Sequence, residues 1–158
     1  IADAVEQGGA TEITVHGRTK ADGYRADRIN WKKIGEVRER LSIPVIANGE
    51  IRHWQDGQDC LSQTGCQDLM VGRGALNIPN LSHVLKSNAE KMPWCEIQKI
   101  LQKYANVENE YDSGFYYLAR IKQWLRYLNK EYDEANQVFD KIKTCQTAED
   151  LKLRLNDK

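Results

Sequence analysis

Asp68-Leu-Met-Val-Gly-Arg-Gly-Ala75 decides the fold: a short apolar run that ends abruptly in two glycines around an arginine. Runs of this length bounded by glycine read as buried strands. Two more stretches upstream follow the same plan. Glu12-Ile-Thr-Val-His16 runs into Gly17-Arg18-Thr19, and Pro44-Val-Ile-Ala-Asn48 runs into Gly49-Glu50-Ile51. Between them lie helical patterns. Residues 31–41 place Ile34, Val37 and Leu41 at i, i+3 and i+7, and residues 53–63 read as a helix stopped by Gly65. Residues 1–7 read as a helix closed by Gly8-Gly9, and a further short helix is expected from Ala75 or Asn80.

Strand–helix alternation predicts a parallel sheet with helical crossovers, its strands buried on both faces. Three such units do not close a barrel, which takes eight. The segment therefore reads as the last part of a TIM (β/α)8 barrel, with an open doubly wound sheet as the alternative. Met92-Pro93 reads as a joint, because proline disfavours helix in the residue before it. Beyond it no strand-like run occurs. Four helices are expected over 94–109, 113–131, 133–144 and 147–156, with Asp112-Ser113 and Thr147-x-x-Asp150 as starts. The fold class is thus α/β plus all-α: 1–92 as the last three βα units of the barrel, and 93–158 as a small helical bundle.

Composition sets bounds. The chain has 158 residues, 41% of them hydrophobic, enough for a packed core. Lys+Arg and Asp+Glu stand at 23 each, so only a local basic patch could speak for nucleic acid. No apolar run approaches the ~20 residues that span a bilayer, and no signal peptide opens the chain. Cys60, Cys66, Cys95 and Cys145 show no C-x-x-C spacing, which argues against a metal site and fits reduced thiols in a cytoplasmic protein. The absence of an initiator Met suggests a fragment.

The polar residues gather where the strands end, and ligands of α/β folds bind there. From His16 to Asn48 is 32 positions and from Asn48 to Gly72 is 24. Alone, each motif reads as a turn or a structural histidine. Together they suit a phosphate. Gly49, Gly72 and Gly74 let backbone N–H groups approach an anion, Arg73 brings a fork of donors, and the helix after Gly74 presents its positive end. In the second half, a wheel count of one helix puts Tyr117, Leu118, Ile121, Leu125 and Leu128 on one face with Trp124 at its edge. Lys122, Arg126 and Lys130, with Gln123, form a basic stripe, and Arg120 falls on the far side. Such a stripe tracks phosphates or is simply a solvated face.

His16-Gly-Arg-Thr19, Asn48-Gly-Glu-Ile51 and Val71-Gly-Arg-Gly-Ala75 resemble, in order and spacing, the motifs of the tRNA-dihydrouridine synthases. Ala119-Arg-Ile-Lys-Gln-Trp-Leu125 is similar to the bacterial subgroup that modifies uridine 16 of the D-loop. The resemblance implies a TIM barrel followed by a tRNA-docking helical domain. It implies reduction of the uridine C5–C6 double bond with FMN, recharged by NADPH. It places His16 against the flavin, Asn48, Gly49 and Glu50 along the ribityl and phosphate path, and Gly72 and Arg73 on the phosphate. It brings Tyr24, Arg120, Lys122 and Arg126 to the tRNA. Neither a membrane nor a metal is implied, and the parent is expected to act as a monomer.

The family's proton-donor cysteine belongs to the first half of the barrel, and none of the four cysteines here matches it. The expectation is a fragment that is inactive alone and binds FMN weakly or not at all. Two other functions fit the residues: an FMN-dependent TIM-barrel oxidoreductase of a small molecule with the helices as an oligomerisation module, and an RNA-binding fragment without chemistry.

Overall fold

A computed structural model describes residues 1–23, 25–107 and 115–156. Contacts divide the chain into two compact units. One comprises Ile1–Ala75 with Leu81–Glu90, the other Leu76–Asn80 with Lys91–Lys158.

The first unit is a mixed α/β arrangement. Helix α1 (Ala2–Gln7) leads into β1 (Ile13–His16), α2 (Trp31–Arg40), β2 (Val45–Asn48), α3 (Trp54–Thr64) and β3 (Asp68–Met70). The strands form one parallel sheet in the order β1-β2-β3, with His16 opposite Asn48 and Asn48 opposite Met70. Local sequence sets the boundaries. The Asn30 side chain caps α2 by accepting from Lys33 N at 3.1 Å. Gly65, in the left-handed region at φ 64°, ends α3. Ile34, Val45, Ala47, Ile51, Cys60 and Cys66 form the core between helices and sheet.

Two expectations are corrected here. Burial on both faces fails for the outer strands: β3 leaves Asp68 and Met70 exposed and β1 leaves Thr14 and His16 exposed, residues two apart that share one face, so no layer among the described residues covers that face. The single helix expected after Gly74 is two, α4 (Arg73–Asn77) and α5 (Leu81–Ser87), and α4 starts at Arg73 itself.

In the second unit lie α6 (Trp94–Ala105), α7 (Phe115–Leu128), α8 (Glu134–Ile142) and α9 (Ala148–Asn156), and no strand occurs among its described residues. They share one core, built from Ile97, Leu101, Leu118, Ile121, Leu125, Leu128, Ala135, Ile142 and Leu151 among others. Of the face counted on α7, Leu118, Ile121, Leu125 and Leu128 are buried, each worth about 1.5–3 kcal/mol. Trp124 is half-buried, and its indole N–H donates to Leu76 O at 3.0 Å. Thr147 Oγ1 accepts from Asp150 N at 3.2 Å and so caps α9 as its sequence suggests. The expected start at Asp112-Ser113 lies outside the described residues. No described helix is long and apolar enough to cross a membrane.

Candidate functional site

The sheet register sets His16, Asn48 and Met70 side by side at the strand ends. The loops that follow enclose a cleft of about 230 Å³, lined by His16, Arg18, Glu50, Arg52, Gly72 and Arg73 among others. A larger cavity of about 400 Å³ lies at the opposite rim, around Ser42, Pro44, Cys66 and Asp68. It holds none of the motif residues, and its lining carries two acidic residues, Glu39 and Asp68, against one basic residue, Arg38, so the chemistry favours the smaller cleft.

A row of hydrogen bonds ties the three strand ends together. Asn48 Nδ2 donates to Met70 O at 2.7 Å, and Asn48 Oδ1 lies 2.5 Å from His16 Nδ1. Arg18 Nη2 approaches His16 Nε2 at 3.5 Å.

Glu50 is the hub of the cleft. Its backbone sits at φ 55°, in the left-handed region that costs a non-glycine residue about 1 kcal/mol or more. This turn points its carboxylate at three guanidinium groups. Oε1 receives Arg18 Nη1 at 2.9 Å and Arg73 Nη2 at 2.7 Å, and Oε2 receives Arg52 Nη2 at 2.5 Å. Three cations around one anion leave a net positive charge. Arg18 and Glu50 are only 4% and 8% exposed, whereas Arg52 and Arg73 reach solvent at 41% and 46%. Arg18 also donates to Arg25 O at 2.9 Å, and its Nε is buried without a partner among the described residues.

The glycines differ in role. Gly49 has φ 129°, and a Cβ there would fall 2.4 Å from Ile29 Cδ1 and 3.1 Å from His16 Cε1. Its carbonyl accepts from Trp31 Nε1 at 2.9 Å. A Cβ at Gly72 would meet nothing within 4 Å, so this glycine opens onto free space beside the cations. Gly74 is packed against the Ile51 carbonyl.

The cleft thus gathers His16, Asn48, Gly49, Glu50, Gly72 and Arg73. It adds Arg18 and Arg52, which sequence reasoning did not assign to the site. Arg18 stood in the His16-Gly-Arg-Thr19 motif, but nothing in the sequence says that it turns inward. No cysteine reaches the cleft. Cys60 and Cys66 are buried in the helix–sheet core, and burial pushes the Cys60 thiol up to about 12. Cys145 is buried, with its thiol raised by desolvation, and Cys95 is exposed on α6. Among the described residues no cluster of metal-ligating side chains occurs.

The second unit carries a groove of about 550 Å³ lined by Tyr116, Arg120, Gln123, Arg126, Phe139 and Lys143 among others. This corrects the placement of Arg120, which shares the groove with Lys122 and Arg126 instead of lying on the far side. Arg120 and Arg126 flank Gln123 at three residues before and after it, one turn of helix in either direction. Arg120 Nη1 donates to Gln123 Oε1 at 2.8 Å and stacks over the Tyr116 ring at 5.1 Å. Arg126 lies over Phe139 at 5.5 Å. Lys122 donates to the Lys143 and Cys145 carbonyls at 3.0 and 2.7 Å, beyond the C-terminal end of α8. Tyr116, Phe139 and Lys143 were not expected at this surface. Tyr24 lies outside the described residues.

Comparison with known proteins gives this geometry its context. The chain is 96% identical over its whole length to a tRNA-dihydrouridine(16) synthase of Haemophilus influenzae, and covers 51% of that protein. Proteins of the same description from Pasteurella multocida and Escherichia coli K12 are 66% and 57% identical over 99% and 96% of the chain, which covers 50% and 48% of them. The chain therefore spans about half the length of the curated relatives it matches. The family model that matches is dihydrouridine synthase, over residues 1–156 of 158, and the chain belongs to that family.

Proposed function

We propose that this chain is the C-terminal half of an FMN-dependent tRNA-dihydrouridine synthase, and that its strand-end cleft holds the phosphate of the flavin nucleotide. In this reading the α/β unit is the closing part of a TIM barrel, and residues 93–158 form a tRNA-docking helical bundle. The observation that carries it is the arginine triad on Glu50, with its net positive charge and the buried Nε of Arg18, which has no partner among the described residues. Such a cluster fits an anion.

The residues fit a nucleotide phosphate. Gly72 leaves room beside Arg73 for a phosphate to approach the backbone. Glu50 holds the guanidinium groups in place before any ligand arrives, which lowers the ordering cost of binding. Asn48 and Gly49 line the path toward His16. When bound, FMN supplies the hydride that reduces the uridine C5–C6 double bond, with NADPH as the source of electrons. The proton donor is assigned outside this chain, because the resemblance puts it in the first half of the barrel and no cysteine lines the cleft. Arg120, Lys122 and Arg126 are assigned to tRNA phosphates, with Tyr116 and Phe139 lining the same groove and Tyr24 as a further contact. All three relatives carry the name tRNA-dihydrouridine(16) synthase, which supports position 16 as the site of modification.

The test compares FMN with riboflavin, which lacks the phosphate, in the full-length protein that carries this chain. Flavin fluorescence titration is expected to show FMN bound more tightly. Arg73→Ala should weaken FMN by about tenfold or more, as expected for a lost charge-assisted contact, and leave riboflavin unchanged. Equal affinity of the native protein for the two flavins overturns the proposal.

A further inference from the structure

The hydrogen bonds that join the strand ends also fix where a proton sits. The Met70 carbonyl only accepts, so the Asn48 group 2.7 Å from it is the NH₂, and the amide oxygen is the atom turned to His16. That oxygen only accepts in its turn. Nδ1 of His16, 2.5 Å away, therefore carries a hydrogen. In the neutral ring the lone pair then lies on Nε2, and the tautomer is set by the bond its other nitrogen makes. Arg18 Nη2, a donor, stands 3.5 Å from Nε2, which suits a lone pair there and not a second N–H. The other charged groups of the cleft are Glu50, Arg52 and Arg73, and the Glu50 carboxylate is engaged by the three arginines.

We propose that Asn48 is a positioning residue: it holds His16 in the Nδ1–H form, so that Nε2 stands as the acceptor at the β1 end of the cleft. The cleft then has two chemically distinct ends. The arginine end takes an anion. The His16 end takes an N–H or O–H donor of the ligand and discriminates against a second acceptor there. A ligand that carries both a phosphate and an imide N–H matches the two ends at once. For the identity of that ligand the inference rests on the proposed flavin site. The tautomer assignment is independent of it.

The experiment is long-range ¹H–¹⁵N correlation on the chain labelled at histidine, at a pH well above the ordinary histidine range. His16 is identified by its loss in His16→Gln. The native chain is expected to show protonated Nδ1 and bare Nε2, the reverse of the form that free imidazole side chains prefer. Asn48→Ala should shift His16 toward the Nε2–H form, and Asn48→Asp, which keeps an acceptor, should restore Nδ1–H. A native His16 in the Nε2–H form, or an Asn48→Ala spectrum identical to the native one, overturns the assignment. In the full-length protein, saturating FMN should move the His16 Nε2 resonance in the direction of an accepted hydrogen bond. FMN that binds by fluorescence without moving Nε2 overturns the donor-selecting end. Failure of the full-length protein to prefer FMN over riboflavin overturns the flavin-phosphate reading and leaves the tautomer result standing.

Discussion

A Cβ added at Gly74 lands 2.2 Å from the Ile51 carbonyl oxygen and 2.8 Å from Leu81 Cδ2. The first contact is with backbone, which cannot swing aside. Gly74→Ala should therefore destabilise the first unit by about 2 kcal/mol or more, as overpacking does. Gly72→Ala is the internal control: its Cβ meets nothing, so stability should stay within about 1 kcal/mol of native. The same methyl would crowd the space beside Arg73, and FMN affinity should fall where stability does not. Urea unfolding and flavin titration of the two variants separate these roles. Sequence reading placed both glycines in one phosphate loop. It could not see that one of them serves close packing, because that depends on the Ile51 carbonyl, more than twenty positions away. Arg18 escaped for a similar reason. His16 and Arg18 lie two residues apart at a strand end, and only the turn through Arg25 and the placing of Glu50 bring the Arg18 side chain inward.

At the scale of elements, periodicity was the reliable guide. The apolar face of α7 emerged from a wheel count because four buried aliphatic residues recur at helical spacing. The polar face was less legible, since a wheel shows angle but not reach. Arg120 and Lys122 point in different directions from the helix axis, yet both line the α7–α8 groove because long side chains bend. Lys122 bends furthest, toward carbonyls that α8 leaves unsatisfied beyond its last turn. Lys122→Met should lower the stability of the second unit by about 1–2 kcal/mol, the worth of hydrogen bonds from a charged donor in a half-exposed setting. Among the described residues Arg126 has only its ring contact with Phe139. Arg126→Glu should leave urea unfolding unchanged, weaken tRNA binding, and reduce the slope of log affinity against log salt by about one. An unchanged salt slope removes Arg126 from the RNA surface.

At the scale of the whole molecule, strand–helix alternation made the parallel sheet legible. The strand-free second half was equally plain. What sequence did not reveal is that Leu76–Asn80 packs with the second unit, through the bonds from Trp124 to Leu76 O and from Met92 N to Asn80 Oδ1. These five residues run from the end of α4 to the start of α5, and nothing in their composition marks their allegiance. Each unit also carries its own acid-sensitive ties. In the first, the Ser42 hydroxyl and backbone N–H, together with Ile43 N–H, hold the Glu6 carboxyl below its ordinary range. In the second, Arg154 holds Asp150 down. A carboxyl whose folded pKa is lowered binds protons more weakly folded than unfolded. Its contribution is therefore complete above the ordinary carboxylate range and is lost as pH falls through the folded value. Both units should lose stability on acidification from about pH 6 to about pH 3. Trp31 and Trp54 report on the first unit, Trp94 and Trp124 on the second, so variants that keep one pair can follow each unit by fluorescence. Glu6→Gln should flatten the acid limb seen by Trp31 and Trp54 and leave the other limb in place, while Asp150→Asn should do the reverse. If either substitution flattens both limbs together, the two units unfold as one and the separate assignment of these carboxyls fails.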